Sequence, residues 1–340
     1  MRALCGGRDA CGCFTHSLPP PPLCTPIPRY LVSHRRAGIG GLLGLAGSTN
    51  ATGDDQKALD IFSHDAFVHA VSYSREMCVL VSEEADECIV VEEALSGRFC
   101  VVTDPLDGSS NIDCNVSTGT IFGIYEKTPG PGSVEDVLRP GNELIAAGYC
   151  MYGSSTQLVI TTGHGVNGFT LDPSIGEFIL THPAIMIPPV PKTIISVNLG
   201  NSCYFDAATK AFTEACLAPN AVKGKKPYSL RYVGSMVSDV HRTLLYGGVF
   251  MYPADSKSTR GKLRVLYEAN PMSFIAEQAG GVATDGRQRI MDIVPDGIHC
   301  RTGIFIGCKR DIENVNKIYA EWDAAGQPAT WTADPLTMAP

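Results

Sequence analysis

The chain has 340 residues, of which 44% are hydrophobic and 18% are charged, a composition typical of a folded protein with two packed units or one large one. It contains no run near the roughly 18 uninterrupted apolar residues of a membrane-spanning helix, so we expect no membrane partner. The formal charge of −8 argues against a nucleic-acid surface, because binding to a phosphate backbone requires an excess of Lys and Arg.

Residues 1–34 are predicted to form an irregular leader. The prolines between Pro19 and Pro28 prevent a long helix or strand, and they interrupt the apolar stretch that a secretory signal needs. An organellar transit peptide is an alternative, since Arg2 and Arg8 outweigh Asp9. A wrongly assigned start is another.

Residues 35–187 are predicted to form an N-terminal α+β domain. Apolar residues recur at helical spacing from Gln56 to Tyr73, which predicts an amphipathic helix. Strand-like runs rich in β-branched and aromatic residues follow it: Cys78–Val81, Cys88–Val91, Phe99–Val102, Thr120–Tyr125 and Leu158–Thr162.

Residues 188–325 are predicted to form a C-terminal α/β domain, separated from the first by the proline-rich stretch near Pro188 and followed by a tail at 326–340. The patterns predict strands at Thr193–Val197 and Leu263–Tyr267, and helices at Phe205–Cys216, Ser235–Tyr246 and Met272–Ala279. Asn270 is the expected N-cap of the last helix, because Pro271 suits the first helical position. Since helices and strands are mixed in both halves, the predicted class is α/β or α+β.

The densest chemical signal is the segment Asp104–Asn111 (DPLDGSSN), which follows an apolar run. We expect Asp104 and Asp107 to lie where that strand ends. Two carboxylates this close repel each other unless a cation lies between them, and oxygen ligands favour Mg²⁺ or Mn²⁺ over zinc. The small residues from Gly108 onward can direct backbone N–H groups at a phosphate. Taken alone, the motif also fits an ordinary turn.

Other acids recur at the ends of predicted strands or near the first helix. Glu83 and Glu84 follow a strand, Glu268 ends another, and Asp54 and Asp60 lie at and within the helix. Each could be a solvated surface acid, but the recurrence suggests one shared metal cluster. Divalent ions held there would bind a phosphate ester, polarise it and lower the pKa of an attacking water.

A basic segment offers the complementary charge. From Lys223 to Arg264 the chain has nine Lys/Arg and two Asp/Glu, which leaves eighteen and thirty-three elsewhere. The candidate phosphate ligands are Arg231, Lys257, Lys262 and Arg264, with the hydroxyls of Tyr232 and Tyr252. A solvated loop would have the same composition. Metals at one end and cations at the other indicate a substrate with two phosphates, of which one is hydrolysed.

These motifs resemble the class 1 fructose-1,6-bisphosphatase family, from about Arg35 to Tyr319. Asp104–Asp113 (DPLDGSSNID) is similar to the metal-binding signature of a wider superfamily that includes inositol monophosphatases, whereas Gly261–Met272 (GKLRVLYEANPM) is much narrower. Five further segments carry the resemblance: Ala46–Asp54, Val81–Glu84, Gly119–Tyr125, Arg231–Met236 and Asp239–Arg242. It implies the layered αβαβα sandwich of the sugar phosphatase superfamily.

The resemblance also implies a role for each site residue. It assigns Mg²⁺, with Mn²⁺ as an alternative, to Glu83, Asp104, Asp107, Glu268 and the Leu106 carbonyl, with Asp54 and Arg264 near a further cation. Glu84, supported by Asp60, would be the base on the attacking water. The substrate would contact Asp107, Gly108, Ser109, Ser110, Asn198, Tyr232, Met236, Tyr252, Lys262 and Arg264, and also Arg231 from a neighbouring subunit of a homotetramer.

The implied activity is hydrolysis of the 1-phosphate of fructose 1,6-bisphosphate, giving fructose 6-phosphate and phosphate for gluconeogenesis or sucrose synthesis. A sedoheptulose-1,7-bisphosphatase is an alternative enzyme, although the family's stretch matching Arg231–Met236 differs there. A catalytically silent sugar-phosphate sensor or scaffold is an alternative of another class.

Two departures from the family pattern affect regulation and compartment. The N-terminal helix on which the family's AMP site depends has no matching pattern here. The other AMP-contact positions carry Arg98, Phe99 and Glu126, and the negative charge of Glu126 replaces the positive charge of the Arg that is usual there. We therefore predict weak AMP inhibition or none. Asn201 resembles plant-type members, and the segment from Tyr125 to Arg139 lacks the insertion of the light-regulated chloroplast form, which favours a cytosolic enzyme over a plastid one.

Overall fold

The computed structural model describes residues 44–49, 55–218 and 226–326. The predicted leader, Asp54 and most of the predicted tail lie outside these residues. Within them, no helix combines the length and the apolar content that crossing a bilayer requires.

An eight-stranded sheet forms the first half of the fold. Its strands are β3 (Met77–Ser82), β4 (Ile89–Val90), β5 (Phe99–Asp107), β6 (Thr118–Glu126), β7 (Ala146–Tyr152), β8 (Thr156–Thr161), β9 (Val166–Asp172) and β10 (Glu177–Ile185). Their spatial order is β10-β9-β8-β7-β6-β5-β3-β4, and only the β3–β5 pair is parallel. A short antiparallel pair, β1 (Leu45–Thr49) and β2 (Asp55–Lys57), precedes this sheet.

A five-stranded sheet forms the second half. It contains β11 (Ile194–Ser196), β12 (Ser229–Leu230), β13 (Val249–Tyr252), β15 (Val282–Thr284) and β17 (Ile304–Gly307), in the order β12-β11-β13-β17-β15. The short strands β14 (Leu263–Arg264) and β16 (Arg301–Thr302) pair beside it.

Five α-helices among the described residues complete the layers. They are α1 (Ala58–Ser72), α2 (Ala207–Leu217), α3 (Met236–Tyr246), α4 (Asn270–Gln278) and α5 (Lys309–Ala324). Helix α1 packs on the outer face of the eight-stranded sheet, α3 and α4 lie between the two sheets, and α2 and α5 cover the outer face of the five-stranded sheet. The order is helix, sheet, helix, sheet, helix, so the predicted αβαβα sandwich is confirmed.

Alternation along the strands explains why the sheets are covered on both faces. In β3, Val79 and Val81 belong to the core between the sheets, whereas Leu80 belongs to the core beneath α1. All six β3 residues are buried, as expected for a strand with apolar layers on both sides. Continuous apolar sequence in β3 and β5 therefore requires this layered arrangement.

Two predicted strand ends are wrong in the structure. Strand β5 continues through Asp107, because Asp104 and Asp107 still pair with β6 opposite Ile121 and Gly119 across an irregularity in register. Asp104 therefore lies inside the strand, whereas Asp107 is its last residue, as expected of a residue at the strand end. Strand β14 ends at Arg264, where a longer strand was predicted.

Glu268 consequently lies in a wide helical turn, Val265–Ala269, and not at a strand end. This turn leads directly into α4, whose N-cap is Ala269 in helical conformation. The predicted N-cap, Asn270, is thus already a helical residue, because the preceding turn supplies the helix start that an isolated cap would otherwise supply.

Candidate active site

A cleft of about 200 Å³ brings together residues from both halves of the chain. Its lining includes fifteen predicted site residues: Asp60, Glu83, Glu84, Asp104, Leu106, Asp107, Gly108, Ser109, Ser110, Tyr232, Met236, Tyr252, Lys262, Arg264 and Glu268. The cleft lies beside the end of β5 and the start of α3, at the junction of the two sheets. Segments that are distant in sequence therefore meet in one small volume.

Three buried carboxylates form the centre of the cleft. Asp104, Asp107 and Glu268 each offer an oxygen within 4.8 Å of the other two. Oxygen ligands in this arrangement suit a hard divalent cation. The donor set thus fits the predicted magnesium site.

Backbone N–H groups fix the orientation of each carboxylate. The Leu106 N–H donates to Asp104 Oδ1 at 2.9 Å, and the Val237 N–H donates to Asp107 Oδ2 at 2.9 Å. The Arg264 N–H donates to Glu268 Oε2 at 2.6 Å. Because each carboxylate uses one oxygen to accept a backbone N–H, its second oxygen is available to face the other two carboxylates.

Arg264 connects the cluster to Glu83. Its Nη2 lies 2.7 Å from Glu83 Oε1, and its Nη1 lies 3.8 Å from Glu268 Oε2. The guanidinium is almost completely buried, so the loss of either partner would leave an uncompensated buried charge. Glu83 thereby joins the same electrostatic network as the three central acids.

Burial raises the pKa of every carboxyl group in this network. The pKa of Asp107 rises to about 7 through burial and through repulsion from Glu268, against the opposing hydrogen bond from the Val237 N–H. The pKa of Glu268 also rises to about 7, where burial outweighs the attraction of Arg264. Burial followed by repulsion from Glu83 raises the pKa of Asp104 well above its usual range. Such mutual repulsion favours a bound cation.

A second acidic pair, Glu84 and Asp60, lies on the side of the cleft formed by α1. Asp60 Oδ2 accepts the Lys57 N–H at 2.7 Å, while Asp60 Oδ1 is buried without a hydrogen-bond partner among the described residues. Burial raises the pKa of Asp60 to about 6, although the Lys57 N–H lowers it. This carboxyl group can therefore exchange a proton near neutral pH.

The turn after β5 leads into the segment that carries Ser109 and Ser110. Gly108 adopts φ +78°, a left-handed conformation that glycine accommodates without strain, and Ser109–Cys114 form a short 3₁₀ helix after it. Asn111 Nδ2 donates to the Gly234 carbonyl at 3.0 Å, which joins this turn to the segment before α3.

The cleft is also lined by two tyrosine hydroxyls and a cation. Tyr232 and Tyr252 are half-buried, and Lys262 is exposed at the rim. Burial raises the pKa of Tyr232 to about 12, with a further contribution from Tyr252, so its hydroxyl remains a donor at neutral pH. These groups could bind a second phosphate.

Several predicted residues do not line the cleft. Asn198 is exposed, and its side chain caps its own short helix by accepting the Gly200 N–H. Arg231 is exposed and donates to the Leu230 carbonyl, whereas Lys257 stacks on the ring of Tyr204. These positions contribute to a site only if another subunit or a larger ligand reaches them.

Asp239 is a cleft residue that was not among the predicted site residues. It is fully buried and accepts hydrogen bonds from Ser196 Oγ and from the N–H groups of Val233 and Gly234. It also pairs with Arg242 three residues later. The sequence signal that could have identified Asp239 is an acid followed three residues later by a base, Arg242.

Comparison with known proteins identifies the family. The family model described as "Fructose-1-6-bisphosphatase, N-terminal domain" matches residues 29–183, and the model described as "Fructose-1-6-bisphosphatase, C-terminal domain" matches residues 187–320. The chain belongs to the fructose-1,6-bisphosphatase family. The resemblance inferred from the motifs is thus confirmed.

Similar curated proteins carry the same family name. The chain is 58% identical to the cytosolic fructose-1,6-bisphosphatase of Solanum tuberosum, over 84% of this chain and 83% of that one. It is 59% identical to the cytosolic enzyme of Oryza sativa subsp. japonica, over 84% of each. The crystal structure of Leishmania major fructose-1,6-bisphosphatase in holo form matches with a TM-score of 0.83 at 44% identity, and covers 88% of this chain and 92% of the other.

Proposed function

We propose that this fructose-1,6-bisphosphatase family member hydrolyses the 1-phosphate of fructose 1,6-bisphosphate in the cytosol, with Mg²⁺ as cofactor. The observation that carries the proposal is that Asp104, Asp107 and Glu268 converge in a cleft that Lys262 and two tyrosine hydroxyls also line. The cytosolic location follows the names of the similar plant proteins.

The acidic cluster is the proposed metal site. Asp104, Asp107, Glu268, Glu83 and the Leu106 carbonyl would supply oxygen ligands, and the raised pKa of the buried acids supports a need for positive charge there. When bound, a divalent cation would neutralise this cluster and polarise the phosphate ester. Mn²⁺ has the same ligand preference and would substitute for Mg²⁺.

The remaining cleft residues would bind and orient the substrate. Ser109, Ser110 and the N–H groups after Gly108 would hold the reacting phosphate, and Glu84, supported by Asp60, would accept a proton from the attacking water. Asp107 and Met236 would contact the sugar. Tyr232, Tyr252 and Lys262 would anchor the distal phosphate by charge-assisted hydrogen bonds.

A neighbouring subunit would complete the distal end. Arg231 is exposed, directly precedes the cleft residue Tyr232, and directly follows the edge strand β12. We therefore propose that the protein forms a homotetramer in which Arg231 of one subunit reaches the site of another. Asn198 would bind the same distal phosphate of the substrate.

Phosphate release tests the proposed reaction. The wild type should release phosphate from fructose 1,6-bisphosphate only with Mg²⁺, whereas Asp107→Ala should lose on the order of 10³-fold in rate, because it removes one of the three central carboxylates. Sedoheptulose 1,7-bisphosphate should be the poorer substrate by kcat/KM.

Glu143→Ala is a matched control, since this acid is exposed and, among the described residues, its side chain pairs only with Arg139. It should retain wild-type activity. Binding of the bisphosphate without Mg²⁺-dependent phosphate release in the wild type would contradict the proposal and support a silent sensor.

A further inference from the structure

One histidine outside the cleft contacts both acidic segments of the site. The Nε2 of His299 lies 3.0 Å from the carbonyl oxygen of Ala85, and its Nδ1 lies 2.7 Å from the hydroxyl oxygen of Tyr267. Ala85 directly follows Glu83 and Glu84, and Tyr267 directly precedes Glu268. A single ring therefore joins two segments that are far apart in sequence and that both supply carboxylates to the cleft.

The chemistry of the partners fixes the state of the ring. A carbonyl oxygen only accepts, so Nε2 of His299 must carry a hydrogen. In the neutral ring, Nδ1 then accepts, and the Tyr267 hydroxyl donates. Burial lowers the pKa of His299, which keeps the ring neutral near pH 7. Tyr267 is fully buried and meets the ring edge to face, with centroids 5.9 Å apart, so its position is fixed by the core.

The turn with Glu83 and Glu84 has few other backbone attachments. The Glu83 N–H donates to the Thr103 carbonyl at 3.1 Å, and the Ala85 N–H donates back to the Ser82 carbonyl at 3.2 Å. Beyond Ala85, Asp86 and Glu87 are exposed, and Cys88 is half-buried against the core before β4 begins. The Glu84 N–H donates to Ser82 Oγ at 3.4 Å. The side-chain bond from Arg264 to Glu83 also joins the two acidic segments, whereas His299 joins them through the Ala85 carbonyl of the turn backbone.

We propose that His299 is a positioning residue for the metal site, because it ties the Glu83–Ala85 turn to the segment that carries Glu268. This inference rests on the proposed function of the cleft. Partners that orient metal ligands commonly change metal affinity by about 10- to 100-fold when they are lost. His299 acts through the backbone, so we expect a change of about tenfold.

Variants of His299 and Tyr267 separate positioning from simple stability. His299→Ala removes both bonds and should weaken Mg²⁺ binding about tenfold by titration calorimetry. His299→Gln can donate to the Ala85 carbonyl and accept from Tyr267, so it should stay within about threefold of the wild type. The Mg²⁺ affinity of Tyr267→Phe should lie between those of His299→Ala and His299→Gln. Amide hydrogen exchange of residues 83–87, measured without metal, should accelerate in the same order.

The pair Tyr149 and His241 provides a matched control. Its hydroxyl oxygen also lies 2.7 Å from Nδ1, and its rings also meet edge to face at 5.8 Å, but neither residue lines the cleft. His241→Ala should lower the melting temperature without changing Mg²⁺ affinity. An equal loss of Mg²⁺ affinity in His241→Ala and His299→Ala would overturn the proposal.

Other outcomes are equally decisive. If His299→Ala binds Mg²⁺ as tightly as the wild type while melting earlier, His299 is only structural and the proposal fails. If His299→Ala does not fold, wild-type Mg²⁺ affinity in Tyr267→Phe overturns it. A wild type that binds Mg²⁺ but releases no phosphate refutes the proposed reaction, whereas the order of Mg²⁺ affinities among the variants still decides the role of His299.

Discussion

Burial changes what the central carboxylates do. In water, Asp107 and Glu268 would both be ionised at pH 7, but burial raises the pKa of each to about 7, and repulsion among the acids of the cluster adds to it. One oxygen of each accepts a backbone N–H, which makes burial tolerable. Arg264 and Lys262 lower the pKa of Glu268 but leave it above its usual value, so a divalent ion should stabilise the whole protein.

Mg²⁺ should therefore raise the melting temperature. At a concentration about 100 times its Kd, a ligand adds about 2.7 kcal/mol, which corresponds to a rise of a few degrees in a protein of this size. Glu268→Gln keeps the shape and the Arg264 hydrogen bond but removes a charge, so its rise should be much smaller. Thermal unfolding with Mg²⁺ or EDTA measures the effect, and Glu143→Gln is the control. An undiminished rise in Glu268→Gln would show that the ion binds elsewhere.

AMP should inhibit weakly or not at all. Glu126 lies at the exposed end of β6 opposite Phe99, where its negative charge would repel the phosphate of AMP. Arg98 stacks on the ring of Phe99 and offers one cation nearby. Initial rates over an AMP titration measure the effect, with Glu126→Arg as the comparison that should become more sensitive. Inhibition of the wild type at low micromolar AMP would contradict this prediction.

At the scale of elements, the close approach of β6 and α3 positions Asp107. Gly119 pairs with Asp107 across the sheet, and a Cβ added to Gly119 would lie 2.7 Å from both the Cys150 carbonyl oxygen and Val237 Cγ2. The Val237 N–H is the donor that holds Asp107. Glycine at 119 therefore lets the start of α3 approach the sheet closely enough to make that bond.

Gly119→Ala should impair catalysis as well as stability. Overpacking of this kind costs about 1–3 kcal/mol, and the displaced Val237 should release Asp107 and lower kcat about tenfold or more. Gly148→Ala is the control, because its Cβ would lie 2.4 Å from Phe122 Cζ in the same sheet but away from the cleft. Denaturant unfolding measures the loss of stability in each variant, and kcat per folded molecule measures the loss of catalysis. Equal kcat in both variants would refute the positioning role of Gly119.

At the scale of the whole molecule, the cleft exists because two sheets share one layer of helices. Helix α3 packs against both sheets, and its first turn reaches the cleft. Tyr149 on β7 bonds to His241 on the same helix at 2.7 Å. The stability of the two-sheet arrangement should therefore depend on the charge of His241.

Acid should destabilise the fold partly through His241. Burial lowers its pKa from 6.5 to about 4, so the folded state holds the ring neutral. The stability contributed by the neutral ring is fully present above pH 6.5 and is lost as the pH falls toward 4. At pH 5 the loss amounts to about 1–2 kcal/mol. His241→Gln should give a flatter dependence of unfolding free energy between pH 7 and pH 5, measured by denaturant titration. Parallel curves for the two proteins would contradict the assignment.

Local patterns were sufficient for much of this protein. Alternating and helical periodicity located α1, α2, α3 and five of the eight strands of the first sheet, because each pattern reflects one buried face. In the five-stranded sheet it located only β11. The motif residues identified the family and fifteen of the cleft residues. The domain boundary at 187/188, the homotetramer and the chemical role of each site residue stay predictions.

Only the tertiary structure decided how the acids meet. Whether Asp104 and Asp107 lie within β5 depends on their pairing with β6, and Glu268 turns toward them because α4 packs between the sheets. The roles of Asp239 and His299 likewise depend on contacts with residues far away in the chain. Sequence by itself determined which side chains were available and which faces were buried, since these are local properties. Distances, burial and pKa values arise from long-range packing, which no local pattern specifies.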